Sequence, residues 1–154
     1  MDREYIFLFK AVFFGLGALI LIPKEQYRKF MLYGFALGAI PQILVVIIFS
    51  GLFHWYRYQN MGVFNVGGLS SFWSPLAWMF ALMFFLYLLP RRRIFFYLYI
   101  AAFSLFGYMV GIVLENFRVF KYIGVFKYLA LLAYICWFSL AALIYMRQEH
   151  IELK

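Results

Sequence analysis

Apolar positions along this chain come in long unbroken runs, neither alternating nor confined to one helical stripe. Five runs stand out: Tyr5 to Ile22, Phe30 to Phe53, Phe72 to Leu89, Ile94 to Leu114 and Tyr128 to Met146. A helix needs about 17–25 such residues to cross a bilayer. The pattern predicts an all-α, polytopic transmembrane helical bundle of about five spans, forming a single integral membrane domain over residues 1–154. Strands of a membrane barrel would alternate over about ten residues. The stretch from Ile43 to Phe49 does not alternate, which argues against a barrel. The first run opens on Met1-Asp2-Arg3-Glu4 and closes on Ile22-Pro23-Lys24-Glu25. That is neither a basic leader nor a small-residue cleavage site, so it reads as a retained helix.

The polar connections set a topology. Lys24, Arg28, Lys29, Arg91, Arg92, Arg93, Arg147 and Lys154 fall on one side, and Arg3, Arg57, Arg118, Lys121 and Lys127 on the other. The larger group belongs in the cytoplasm, which places the N-terminus outside and the C-terminus inside. The outer connection from His54 to Ser71 carries Gly67-Gly68, a turn signal. The segment from Asn116 to Lys127 alternates basic with aromatic and aliphatic residues and reads as an interfacial helix.

Composition sharpens the class. Hydrophobic residues are 68%, charged residues 13% and aromatics 25%. A soluble domain has about half apolar and about a quarter charged residues. A cytosolic enzyme, a disordered tail and a disulfide scaffold are thereby excluded, and a cell membrane, bacterial by the resemblance below, is the expected location. The net charge of +8 sits in clusters flanking the apolar runs. Those suit anionic headgroups, not nucleic acid. Cys136 is the single cysteine, so no internal disulfide or cysteine metal site can form.

Candidate chemistry is sparse. Gly34-x-x-x-Gly38 and Gly107-x-x-x-Gly111 mark close helix approach, read here as packing within the chain ahead of a homo-oligomer face. Glu115 shares a helical stripe with Ser104, Gly107 and Gly111 and is the leading ligand-binding candidate. Lys10 lies inside the first run on the face of Gly17, and an ion pair with Glu115 is expected. Gln42 follows Pro41 in mid-span; the proline frees a carbonyl and the amide can bond across helices. A Pro-Gln pair also resembles one in a family of small sugar and amino-acid carriers, whose three-helix repeat this chain lacks. Asn116, Arg118 and His54 complete the candidate set at the outer surface. Ser74 is expected to cap the third span. No metal-ligand spacing is present, no span interior holds a histidine for haem, and no catalytic triad, carboxylate pair or phosphate loop appears. The sequence therefore predicts no cofactor.

Residues Phe72-Trp73-Ser74-Pro75 open a span, and residues 114–124, Leu-Glu-Asn-Phe-Arg-Val-Phe-Lys-Tyr-Ile-Gly, lead into the last one. Both resemble a family of small five-span bacterial integral membrane proteins with no assigned activity. Glu115 and Lys121-Tyr122 match a glutamate that ends one span and a basic-aromatic segment before the final span. The tryptophan expected at the start of that last span is absent. The resemblance implies the five-span fold and no activity.

Three functions stay open. The first is a non-enzymatic protein binding a lipid, an isoprenoid or a membrane protein partner near its outer surface, in a cleft among spans one, two and four. The second is a small transporter or channel-like oligomer using Lys10, Gln42 and Glu115. The third is a membrane enzyme acting on a lipid or isoprenoid.

Overall fold

The computed structural model describes residues 5–61 and 65–154; residues 1–4 and 62–64, and with them Arg3, lie outside the described residues. The chain is mostly helical, with helices α1 (Tyr5–Leu21), α2 (Lys24–Leu52), α3 (Trp73–Tyr87), α4 (Arg93–Asn116) and α5 (Phe126–Gln148). Each apolar run is helical. Three helices, α2, α4 and α5, are long and apolar enough to cross a membrane, while α1 and α3 are apolar but shorter. Large side chains such as Phe9, Ile20 and Ile94 stand more than half exposed on the outside, as expected where hydrocarbon replaces water.

The fold is not purely helical. Strand β1 (Tyr56–Tyr58) pairs antiparallel with β4 (Phe120–Tyr122), in the register Tyr56 with Tyr122, Arg57 with Lys121 and Tyr58 with Phe120. A smaller hairpin joins β2 (Asn65–Val66) to β3 (Ser70–Ser71). The predicted interfacial helix over 116–127 is therefore replaced by a helix end, a strand and a turn. The reason is periodicity. Tyr-Arg-Tyr and Phe-Lys-Tyr repeat every two residues, which puts their rings on one face of a strand and their cations on the other. The rings are buried; Arg57 and Lys121 are exposed.

Helix lengths explain why a sheet is needed. At 1.5 Å per residue α2 is about 43 Å long and α3 about 22 Å. Ser74, in the first turn of α3, meets Gln42 of α2, so α3 begins well short of the outer end of α2 at Leu52. The sheet fills that space. Two buried clusters result. One is helix on helix, built around Phe30, Leu82, Phe85, Ile100, Phe138 and Ala142. The other surrounds the sheet, with Phe7, Val46, Tyr56, Tyr58, Phe120 and Tyr122.

Glycine sets the tightest seam. A Cβ on Gly34 would lie 2.5 Å from the carbonyl oxygen of Met79, and one on Gly38 would lie 2.6 Å from that of Trp78. The first glycine pair thus serves backbone contact between α2 and α3. The second pair cradles rings: Tyr134 lies over Gly107, and the Tyr122 hydroxyl lies against Gly111.

The end opposite the sheet gathers the larger basic group. Lys29 pairs with Glu149, which also accepts a bond from Tyr33 at 2.8 Å. Backbone bonds join Lys154 to Arg91 and Arg93.

Candidate functional site

The irregular turn in α2 comes first, because Gln42 follows it. Pro41 has no N–H, so the carbonyl of Leu37 loses its helical donor, and the proline ring crowds it. The helix responds with a π-helical turn over Phe35–Ala39. The Trp137 indole N–H, from α5, donates to the freed Leu37 oxygen at 2.9 Å. An orphan carbonyl in hydrocarbon is costly, and this bond removes it. Trp137 in turn stacks on Trp78, with centroids 5.1 Å apart.

Around that bridge α2 and α5 leave a groove of about 520 Å³. Pro41, Val45 and Phe49 form one wall; Ala130, Ala133 and Leu140 belong to the other. The floor is the ring face of the β1–β4 sheet, with Tyr56, Tyr58, Phe120 and Tyr122. Backbone bonds from Gln59 to Val119 and from Ile123 to Trp55 make Tyr56/Tyr122 and Tyr58/Phe120 the non-hydrogen-bonded pairs, where side chains approach most closely. Tyr58 and Phe120 meet edge to face at 5.3 Å. The mouth is flanked by exposed Cys136, Leu140 and Ile144, so it opens sideways from the bundle.

The floor is not wholly apolar. Buried Gln42 donates to the Tyr58 hydroxyl at 2.9 Å and reaches Ser74 Oγ at 3.4 Å, and Tyr58 and Ser74 share a bond of 3.1 Å. The Gln42 amide oxygen receives no hydrogen bond from the described residues. The Tyr122 hydroxyl is buried beside that of Tyr134, the hydrogen-bonding neighbour that opposes the rise in its pKa. Burial pushes the Tyr58 phenol above its usual value, opposed by the bonds from Ser74 and Gln42. Burial also raises Tyr122. Both phenols therefore remain protonated and able to donate.

The sequence candidates scatter. Gln42 lies at the groove. Glu115 pairs with Lys127 at 2.7 Å, not with Lys10. That bond ties the end of α4 to the start of α5, because the β4 turn returns the chain beside its own departure point. Asn116 is the exposed last residue of α4. Arg118 and His54 turn the chain out of α4 and α2 in left-handed conformations, with φ of 57° and 55°. Asn60 bonds the Arg118 carbonyl at 2.8 Å. Lys10 borders a small niche with Gly107 and Val110 of α4 and Trp78 of α3. Ser74 makes no side-chain cap; its hydroxyl serves Gln42 and Tyr58 instead. The cleft was expected among spans one, two and four; the groove that holds Gln42 lies between α2 and α5. Tyr58 and Trp137 were not singled out by the sequence. The period-two Tyr-Arg-Tyr pattern was the available signal for Tyr58; nothing local marked Trp137.

No protein-family model, no curated protein and no solved structure matches this chain.

Proposed function

We propose that this chain is a five-span integral membrane protein that binds the apolar chain of a lipid or isoprenoid in the α2–α5 groove. In this reading the hydroxyl or carbonyl end of the ligand meets Gln42 and the floor tyrosines. One observation carries it. A groove of about 520 Å³ with apolar walls opens sideways and ends on an amide whose oxygen receives no hydrogen bond from the described residues. Sites of this kind hold ligands by apolar burial and orient them with a few polar groups.

The five-span topology rests on α1 and α3 packing against each other and α3 against α2, with every loop near one end or the other. The basic excess at the Lys29–Glu149 end supports a cytoplasmic placement of that end, with the sheet outside. Gln42 then lies at outer-leaflet depth, where a lipid's polar end can reach it. Binding is favoured over conduction because the polar cluster leads into no polar path among the described residues. Inward of it, the buried cluster consists of Phe30, Leu82, Phe85 and their apolar neighbours.

Native mass spectrometry of gently solubilised protein tests the reading. The wild type should carry a discrete lipid-like mass, and Gln42→Leu should reduce its occupancy about tenfold, the worth of one buried hydrogen bond left unmade. Ala133→Trp should block the groove outright. Equal occupancy in all three proteins would overturn the proposal.

A further inference from the structure

A second lateral furrow runs between α1 and α4, remote from Gln42. It encloses about 620 Å³ and is bordered by Phe13, Gly17 and Ile20 of α1 and by Ala102 and Phe106 of α4, with Phe84 of α3 beneath. Gly17 is the informative residue. A Cβ placed there would meet nothing within 4 Å, unlike Gly34 and Gly38. Its missing side chain widens the furrow without serving any helix contact. Phe14 and Phe106 meet edge to face across the seam, with centroids 6.1 Å apart. They border both the furrow and the niche of Lys10.

Lys10 stands at the outer end of this seam, seven residues from Gly17, or about 10 Å along the helix. The ion pairs among the described residues are Lys29–Glu149 and Lys127–Glu115; neither uses Lys10. Its described polar contact is the face of Phe7, 6.0 Å from the ammonium. An ammonium among Phe14, Trp78 and Val110 without a carboxylate is costly, and charges inside membranes are normally matched by an opposite charge.

We propose that the α1–α4 furrow is a site for a single-chain carboxylate amphiphile, a fatty acid. Its chain lies along Gly17 and its carboxylate pairs with Lys10. One cation, with the Trp78 indole the one other side-chain donor bordering the niche, matches a carboxylate. A phosphate is normally met by several donors, and its further oxygens would stay unmet here. The geometry matches that of an outer-leaflet amphiphile, charged end outward and chain inward.

The test uses purified full-length protein in phosphatidylcholine nanodiscs. Oleate, oleyl alcohol and phosphatidic acid are added separately, and occupancy is read by native mass spectrometry. Oleate should bind wild type, and Lys10→Gln should weaken it at least about tenfold, the loss of one charge-assisted bond. Gly17→Leu should abolish binding while leaving thermal stability intact, since the added side chain enters open space. Gln42→Leu should leave oleate unaffected, which separates this site from the α2–α5 groove. The proposal is overturned if Lys10→Gln binds oleate as wild type does, if oleyl alcohol binds as tightly as oleate, or if phosphatidic acid shows the stronger dependence on Lys10.

Discussion

The two ends of this bundle are packed by different means. At the Lys29–Glu149 end, helices touch helices, and Gly34 and Gly38 let the backbones of α2 and α3 close to contact. At the sheet end α3 has already stopped, and rings hung from two short strands fill the space. Gly111 receives the Tyr122 ring of the sheet, and Gly107 the Tyr134 ring of α5. The same four-residue glycine spacing therefore does two jobs, decided by what stands opposite. Where Gly34 and Gly38 face Met79 and Trp78, the two backbones close without a gap. Rings on a flat strand pair fill a three-sided space incompletely, and the α2–α5 groove is the remainder.

The comparison breaks most sharply at Gly38. Gly38→Ala drives a methyl into the Trp78 carbonyl, so α2 and α3 must separate; the expected cost is about 2–3 kcal/mol. A thermal melt in detergent should show it, and a neutral result would mean the inner seam is not tightly closed. Gly17→Leu is the matching control, expected to be silent. Next in size is Trp137→Phe, which removes the donor to Leu37 but keeps most of the ring. An unmet carbonyl at that depth should cost about 1–2 kcal/mol. Leu37 and Trp137 both border the groove, so lipid occupancy should change with it. Unchanged stability would show that the π-helical turn satisfies Leu37 without help.

The smallest effect belongs to the Lys29–Glu149 pair. The Lys29 bond holds the Glu149 carboxyl below its ordinary value of about 4.5, with Tyr33 assisting and desolvation opposing. A depressed native value contributes stability above the unfolded value and loses it as pH falls through the native one. The melting temperature should thus decline slightly below about pH 4.5. Glu149→Gln should flatten that decline. Both side chains are partly exposed, so the shift should be small.

The apolar runs located every helix, because burial of a helix in hydrocarbon demands an unbroken apolar stretch and the chain has little else. The role of Pro41 was legible too: a proline in mid-helix must free the carbonyl four residues earlier, whatever surrounds it. The period-two repeats at residues 56–58 and 120–122 were readable as strands in principle. Each is only three residues long, and the basic-aromatic alternation fits an interfacial helix equally well until the other strand is known. Glu115 looked like a site because its stripe faces inward; its partner Lys127 depended on a turn whose path no local pattern dictates.

What the sequence determined alone was the helices and the broken backbone bond at Pro41, since each follows from residue types within one turn or one run. The tertiary structure alone decided that Trp137 supplies the missing donor and that Tyr58 reaches Gln42. It also decided that one glycine pair serves backbone contact while the other serves rings, and that Lys10 ends in a niche with Trp78 and Gly107. Those are meetings between residues 16 to 100 positions apart. They depend on where α3 stops relative to α2, a difference in length between two helices that acquires its meaning only when they are laid side by side.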